Sequence, residues 1–273
     1  MASTATQTGH APAGELEMYY EIHGSGEPLL LLHGAYMTIE MLDTILSPLA
    51  GTRQVIAVEQ QGHGRTADAD RPITYEQMAD DTAVVLRHLG IGAADVVGYS
   101  MGGGVALQLA IRHPEVVRKL VVASASSTSD GMHAALIEMV PSITPEMFAG
   151  SPMEQEYRRL APNPDDFPVL VEKLKQLDST EYAWPEDDVR AIPAPTMIVV
   201  GDSDAIRLEH AVELFRLRGG GVMGDLAGLP AAQLAVLPGT THFVPPGSGL
   251  LDRSEWLLAM LLPFLDAPLP EGG

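Results

Sequence analysis

The chain has 273 residues, 46% of them hydrophobic, which is enough for one large domain with a sizeable buried core. Its 16 Lys and Arg stand against 36 Asp and Glu, a formal charge of -20 that repels phosphate backbones and anionic membranes and argues against a nucleic-acid or membrane partner. The absence of cysteine excludes disulfides, thiolate metal sites and thiol nucleophiles, so any covalent catalysis must use another group.

The opening Met-Ala-Ser-Thr-Ala-Thr-Gln is polar and has neither the basic start nor the apolar centre of a signal peptide, and no later apolar run reaches membrane-spanning length. A cytoplasmic location is expected, and the first residues read as disordered. Leu16 to Ile22 alternates loosely and passes through Gly24-Ser25-Gly26 into the run Leu29 to Leu32, a pattern that predicts a hairpin feeding a fully buried strand. An amphipathic stretch from Ile39 to Leu49 leads to a short apolar strand, Val55 to Val58, and then to the glycine-punctuated loop Gln61-Gly62-His63-Gly64-Arg65. Thr74 and Gln77 have capping-box spacing, and Met78, Val85, Leu86 and Leu89 mark a helix that Gly90 can end.

Val96-Val97 predicts a brief strand, Ser100 to Ile111 a helix with Pro114 just beyond it, and Leu120 to Ala123 and Thr196 to Val200 two more buried strands. Continuous apolar strands alternating with helices predict a doubly wound, mostly parallel α/β sheet covered on both faces. Between the last two strands the pattern becomes helical and rich in Met, Pro and Phe, so residues 126–193 are expected to form an inserted helical cap on a core of residues 1–125 and 194–273. Leu208 to Leu217 predicts a helix, Gly219 to Gly228 a flexible connection, Leu234 to Leu237 a last strand and Ser254 to Leu265 a closing helix.

Gly98-Tyr99-Ser100-Met101-Gly102 fits Gly-x-Ser-x-Gly between a strand and an Ala-rich helix, the setting of a nucleophile elbow. The sharp turn needs glycines for steric reasons, and it lifts the Ser100 hydroxyl to a helix N-terminus where negative charge is favoured. The Met101 N–H is therefore expected to stabilise an oxyanion, with a second donor from the loop after Leu32, at Ala35. A serine hydroxyl needs a base. His242, in the loop after the final strand, follows a candidate acid in the order Ser, Asp, His, whereas His210 falls early on a helix. Asp202 and Asp204 compete for the acid, with Asp130 a further alternative. Asp204 lies deeper in its loop, while Asp202 suits a turn whose backbone N–H groups it would bind.

On Leu32-His33-Gly34, Gly62-His63-Gly64, Gly98 to Gly103, Gly201-Asp202-Ser203-Asp204 and Gly239-Thr240-Thr241-His242, the chain resembles the α/β-hydrolase superfamily over nearly its whole length. The pattern is similar to the serine-nucleophile esterase, lactonase and cofactor-free haloperoxidase-like branch. That resemblance implies a catalytic triad of Ser100, Asp204 and His242, with Ala35 and Met101 amides as the oxyanion hole. It implies a carboxylesterase acting through an acyl-enzyme on a small, largely apolar ester, without cofactor or metal. Lactone opening, C–C hydrolysis and perhydrolysis are the alternatives with the same triad, and a non-catalytic binding protein is a further one. Glu59 stands where the family usually carries aspartate, and residues 219–228 form a longer connection than usual. Met132, Met139, Met147, Phe148 and Trp184 could line an acyl pocket, although core packing is the commoner role of such residues. Self-association into a homo-oligomer is left open.

Overall fold

The structure, a computed structural model, describes residues 4–244 and 246–269. Its strands are β1 (Gln7–Ala13), β2 (Leu16–His23), β3 (Glu27–Leu32), β4 (Arg53–Val58), β5 (Ala94–Tyr99), β6 (Val117–Ala123), β7 (Thr196–Ser203) and β8 (Ala232–Thr241). They form a single sheet in the order β1-β2-β4-β3-β5-β6-β7-β8. Pairing is antiparallel for β1 with β2 and for β2 with β4, and parallel from β4 to β8.

The helices are α1 (Asp43–Ala50), α2 (Tyr75–His88), α3 (Met101–Arg112), α4 (Ala134–Met139), α5 (Pro152–Leu160), α6 (Phe167–Ser179), α7 (Glu186–Ala191), α8 (Leu208–Leu217), α9 (Gly224–Ala227) and α10 (Ser254–Asp266). Side chains of a strand alternate between faces, and the leucines of β3 divide accordingly. Leu30 and Leu32 join the core under α2, α3 and α8, whereas Leu29 and Leu31 join the core under α1 and α10. A strand covered on both sides has no polar face to show, which is why it reads as an unbroken apolar run.

Several expectations are corrected. The start of the chain is not disordered from Gln7 onward: Gln7–Ala13 forms an edge strand, paired residue for residue with Leu16–Ile22. The hairpin therefore joins β1 to β2, and β2 is separated from β3 by β4. The capping box is half formed, since Thr74 accepts the Gln77 amide at 3.2 Å while the Gln77 side chain turns to Asp81. The last strand is longer than Leu234 to Leu237 because it continues alongside β7 past an irregularity between Gly201 and Ser203. The stretch from Gly219 to Gly228 contains the four-residue helix α9.

Helices α4 to α7 lie between β6 and β7, and their segment is tied to itself by a bridge between Thr128 and Ala183. Six loops leave the carboxyl ends of the parallel strands, where open α/β sheets place their ligand sites.

Candidate active site

Ser100 sits between β5 and α3 with φ 55° and ψ −122°, a left-handed conformation uncommon outside glycine. The bend is held by the Ser100 N–H donating to Ala123 O at 2.9 Å and by the Gly103 N–H donating to Ser100 O at 2.8 Å. Glycine is required on both sides: a Cβ at Gly98 would lie 2.1 Å from Gly102 O, and one at Gly102 would lie 2.4 Å from Leu32 O. The hydroxyl of Ser100 donates to His242 Nε2 at 2.8 Å, across 142 residues of sequence.

His242 directly follows β8. Its Nδ1–H donates to Asp204 Oδ1 at 2.8 Å, which selects the tautomer that leaves Nε2 free to accept. Tyr99 donates its hydroxyl to the His242 carbonyl at 2.6 Å and lies against the imidazole ring. Asp204 is buried, and its second oxygen accepts from Ser124 Oγ at 2.6 Å and from the Gly201 N–H at 3.2 Å. Burial alone would push the Asp204 carboxyl up, but the hydrogen bond and charge of His242, with the Ser124 hydroxyl and the Ile206 amide, hold it below the usual aspartate range.

The competing residues lie elsewhere. Asp202 accepts the N–H groups of Gly239 and Thr240 at 2.9 and 3.1 Å, clamping the turn that precedes His242. Asp130 bonds the Thr128 hydroxyl at 2.5 Å. His210 is buried and accepts the Ser127 amide at 3.0 Å.

Ala35 and Met101 both line the cavity in front of Ser100, and among the described residues neither N–H has an acceptor within the protein. For Met101 this follows from its position in the first turn of α3, where amides lack an intrahelical partner. For Ala35 it follows from a loop built by two histidines. Tyr36, at φ 62°, donates its N–H to His63 Nε2 at 3.2 Å, and His63 Nδ1–H donates to Gln61 O at 2.9 Å. His33 Nε2 accepts the Gln60 N–H at 3.1 Å while its Nδ1–H donates to Gly34 O at 2.8 Å. Burial pushes His33 down to about 4, and burial with the neighbouring His33 pushes His63 down to about 3, so both rings stay neutral. Glu59, fully buried behind this loop, is pushed up to about 7 by desolvation even though it accepts from the Arg65 amide and guanidinium.

The cavity has a volume of about 230 Å³ and is walled chiefly by apolar and aromatic side chains. Of the five helical-insertion residues named from the sequence, Met132 alone lines it. Met139 and Met147 are exposed, Phe148 stacks on Tyr36, and Trp184 is buried against Tyr75 and Tyr182. Tyr36 and Phe243 do line the cavity, as do Leu136, Val140, Ile143 and Met153. Sequence reasoning missed Tyr99, Ser124, His63 and Asp178. Tyr99 is adjacent to Ser100, Ser124 directly follows a strand at the edge where the acid emerges, and His63 stands in the Gly62-His63-Gly64 segment without an assigned role; Asp178 carried no comparable local signal. Among the described residues, no group of three or more His, Asp or Glu side chains is placed to hold a metal ion, and no helix is long and apolar enough to cross a membrane.

Residues 27–150 match the family model described as alpha/beta hydrolase fold. RutD of Azorhizobium caulinodans, named for carbamate hydrolysis, is 35% identical over 122 residues, 45% of this chain and 46% of its own, so the chain spans just under half the length of that relative. The 2-hydroxymuconate semialdehyde hydrolase of Pseudomonas putida is 32% identical over 204 residues, covering 67% of this chain and 72% of that protein. Among solved structures, carboxylesterase CesB of Bacillus subtilis superposes with a TM-score of 0.72 at 17% identity, over 96% of this chain and 92% of that one.

Proposed function

Because the chain belongs to the α/β-hydrolase family, we propose that it is a serine hydrolase cleaving a carboxylic ester of a small, largely apolar acyl group. The observation that carries this reading is the continuous relay from Ser100 through His242 to Asp204, with both hydrogen bonds at 2.8 Å and two unengaged amides beside it.

Ser100 Oγ attacks the ester carbonyl as His242 Nε2 takes its proton, and Asp204 stabilises the imidazolium without accepting that proton. The amides of Ala35 and Met101 hold the oxyanion of the tetrahedral intermediate. Collapse expels the alcohol, which takes the proton back from His242 and leaves an acyl-Ser100 ester. Water, deprotonated by His242, then attacks the acyl carbon, the bond to Ser100 Oγ breaks, and His242 returns the proton to Ser100 Oγ as the acid leaves. The segment 126–193 serves as a cap whose Leu136, Val140 and Ile143 exclude water from the acyl group.

A cavity of about 230 Å³ favours small acyl groups, since it falls below the ~300–1,000 Å³ common for drug-sized ligands. Its charge argues against a substrate like that of the muconate relative. The name of that relative implies a carboxylate substrate, and no Lys or Arg lines this cavity.

The test is reaction with a fluorophosphonate and turnover of short p-nitrophenyl esters. The expected result is labelling at Ser100, with Ser100→Ala losing both labelling and at least about 10³-fold in turnover while keeping its fold. A protein that neither reacts nor turns over any ester overturns the reading.

A further inference from the structure

One ionisable group in the cavity has no place in the relay. Asp178, on α6, is the only carboxylate among the residues lining the cavity, and its side chain has neither a hydrogen bond nor an ion pair among the described residues. A second polar group on the same cavity is also unengaged: the Tyr36 hydroxyl is buried without a hydrogen-bond partner. A phenol buried without a partner is unfavourable, and such groups are ordinarily paired; Asp178, half-buried, is the charged group beside it on the cavity wall. Here they face space that substrate would fill.

On these observations, and resting on the ester-hydrolase reading above, we infer that Asp178 and Tyr36 form a subsite for a cationic amine on the acyl substrate. An alkylammonium has three N–H donors and no acceptor, so it complements a carboxylate and a phenol oxygen that both lack donors. Tyr75 and Tyr182 line the cavity as well, and aromatic rings tolerate a cation where aliphatic side chains do not. No Lys or Arg competes for Asp178 within the cavity, where the one basic side chain among the lining residues is His242. Burial raises the Asp178 carboxyl to about 6, against the pull of His242, which leaves it largely ionised at neutral pH. Its charge reaches Tyr36, Tyr75 and Tyr182, so these four groups share one electrostatic environment.

The inference separates from a second role for Asp178, support of the His242 imidazolium. Electrostatic support would alter turnover of every ester alike. Recognition alters the KM of cationic esters alone.

The experiment compares ω-aminoacyl p-nitrophenyl esters of three to six carbons with matched ω-methyl and ω-carboxyl esters, in wild type, Asp178→Asn and Tyr36→Phe. The expected result is a preference for the amine over the methyl ester of at least about tenfold in kcat/KM at the best chain length, carried by KM, and discrimination against the carboxylate. In Asp178→Asn the ratio of amine to methyl ester kcat/KM, taken within that variant, falls to about one. Tyr36→Phe weakens that preference. A second arm does not depend on turnover: calorimetric binding of hexylammonium and hexanoate to Ser100→Ala should favour the cation, and Asp178→Asn in that background should abolish the difference. Cleavage of neutral esters with no amine preference in either arm overturns the subsite but leaves the hydrolase intact. Amine binding in a protein that cleaves no ester supports the subsite and sinks the hydrolase reading.

Discussion

At the position of Asp204 four donors converge on one buried carboxylate. Ser124 and the Gly201 amide hold one oxygen, leaving the other for Ile206 N–H and His242 Nδ1–H. An asparagine there would present an amide NH₂ to one set of donors and invert the His242 tautomer, so Asp204→Asn should lower kcat by about 10⁴-fold with little change in fold. Asp202 binds the Gly239 and Thr240 amides at the end of β8 and the Ser203 hydroxyl, and no catalytic side chain. Asp202→Asn is expected to keep turnover close to wild type and to cost about 1 kcal/mol of stability. Side-by-side kinetics and urea melts of the two variants check this, and the reverse pattern would assign the acid to Asp202. Ser100 illustrates the cost of such a site at the smallest scale, since its left-handed backbone forfeits about 1–3 kcal/mol that the surrounding turn must offset.

Among the elements, one tight constraint lies where α3 starts against β3. Gly102→Ala would drive a methyl group into the Leu32 carbonyl and is expected to destabilise by about 3 kcal/mol, read as a fall in urea midpoint. Gly90→Ala, in open space at φ 72° after α2, should cost only about 1–2 kcal/mol despite the same chemical change. The loops after β3 and β4 are joined by the neutral pair His33 and His63, and this junction has a pH signature. Their folded-state values lie well below the ordinary 6.5, so the stabilisation they carry is complete above about pH 6.5 and is lost as pH falls toward about 4 and 3. Glu59 and Asp178, both raised, run in the opposite sense, which makes the whole-protein curve a poor readout. The informative quantity is the margin of wild type over His63→Gln. It should shrink by about 1.4 kcal/mol per unit as pH drops below 6.5, and a margin independent of pH would mean that the ring binds its proton equally well in the folded and unfolded protein.

Across the whole molecule, function and stability occupy opposite ends of the sheet. At the amino ends of the strands, buried Asp95 accepts from Arg53 at 3.3 Å and from Arg118 at 2.9 and 3.0 Å, and Arg53 also pairs with Asp266 at the end of α10. Lys119 donates to the Phe264 and Leu265 carbonyls at 3.0 and 2.6 Å, fastening the same helix. Removing Asp95 takes one of two carboxylate partners from each guanidinium, leaving Asp266 for Arg53 and Glu27 for Arg118, so Asp95→Ala is expected to lose about 1.5–3 kcal/mol in chemical denaturation while the folded fraction keeps its ester turnover. Much of this architecture was legible without coordinates. Buried runs such as Leu29 to Leu32 declare strands covered on both faces, and the motif around Ser100 with the chain order of serine, acid and histidine points to Ser100 and His242 and narrows the acid to Asp204, Asp202 or Asp130, because these signals are carried by short stretches of chain. Tertiary structure decided what depends on distant partners. It set β4 between β2 and β3, since strand order is written in pairing and not in periodicity. It also brought Ser124 to Asp204, His63 to Tyr36 and Asp178 to the cavity, because an isolated serine, histidine or aspartate acquires a role only when packing removes its water and supplies its neighbours.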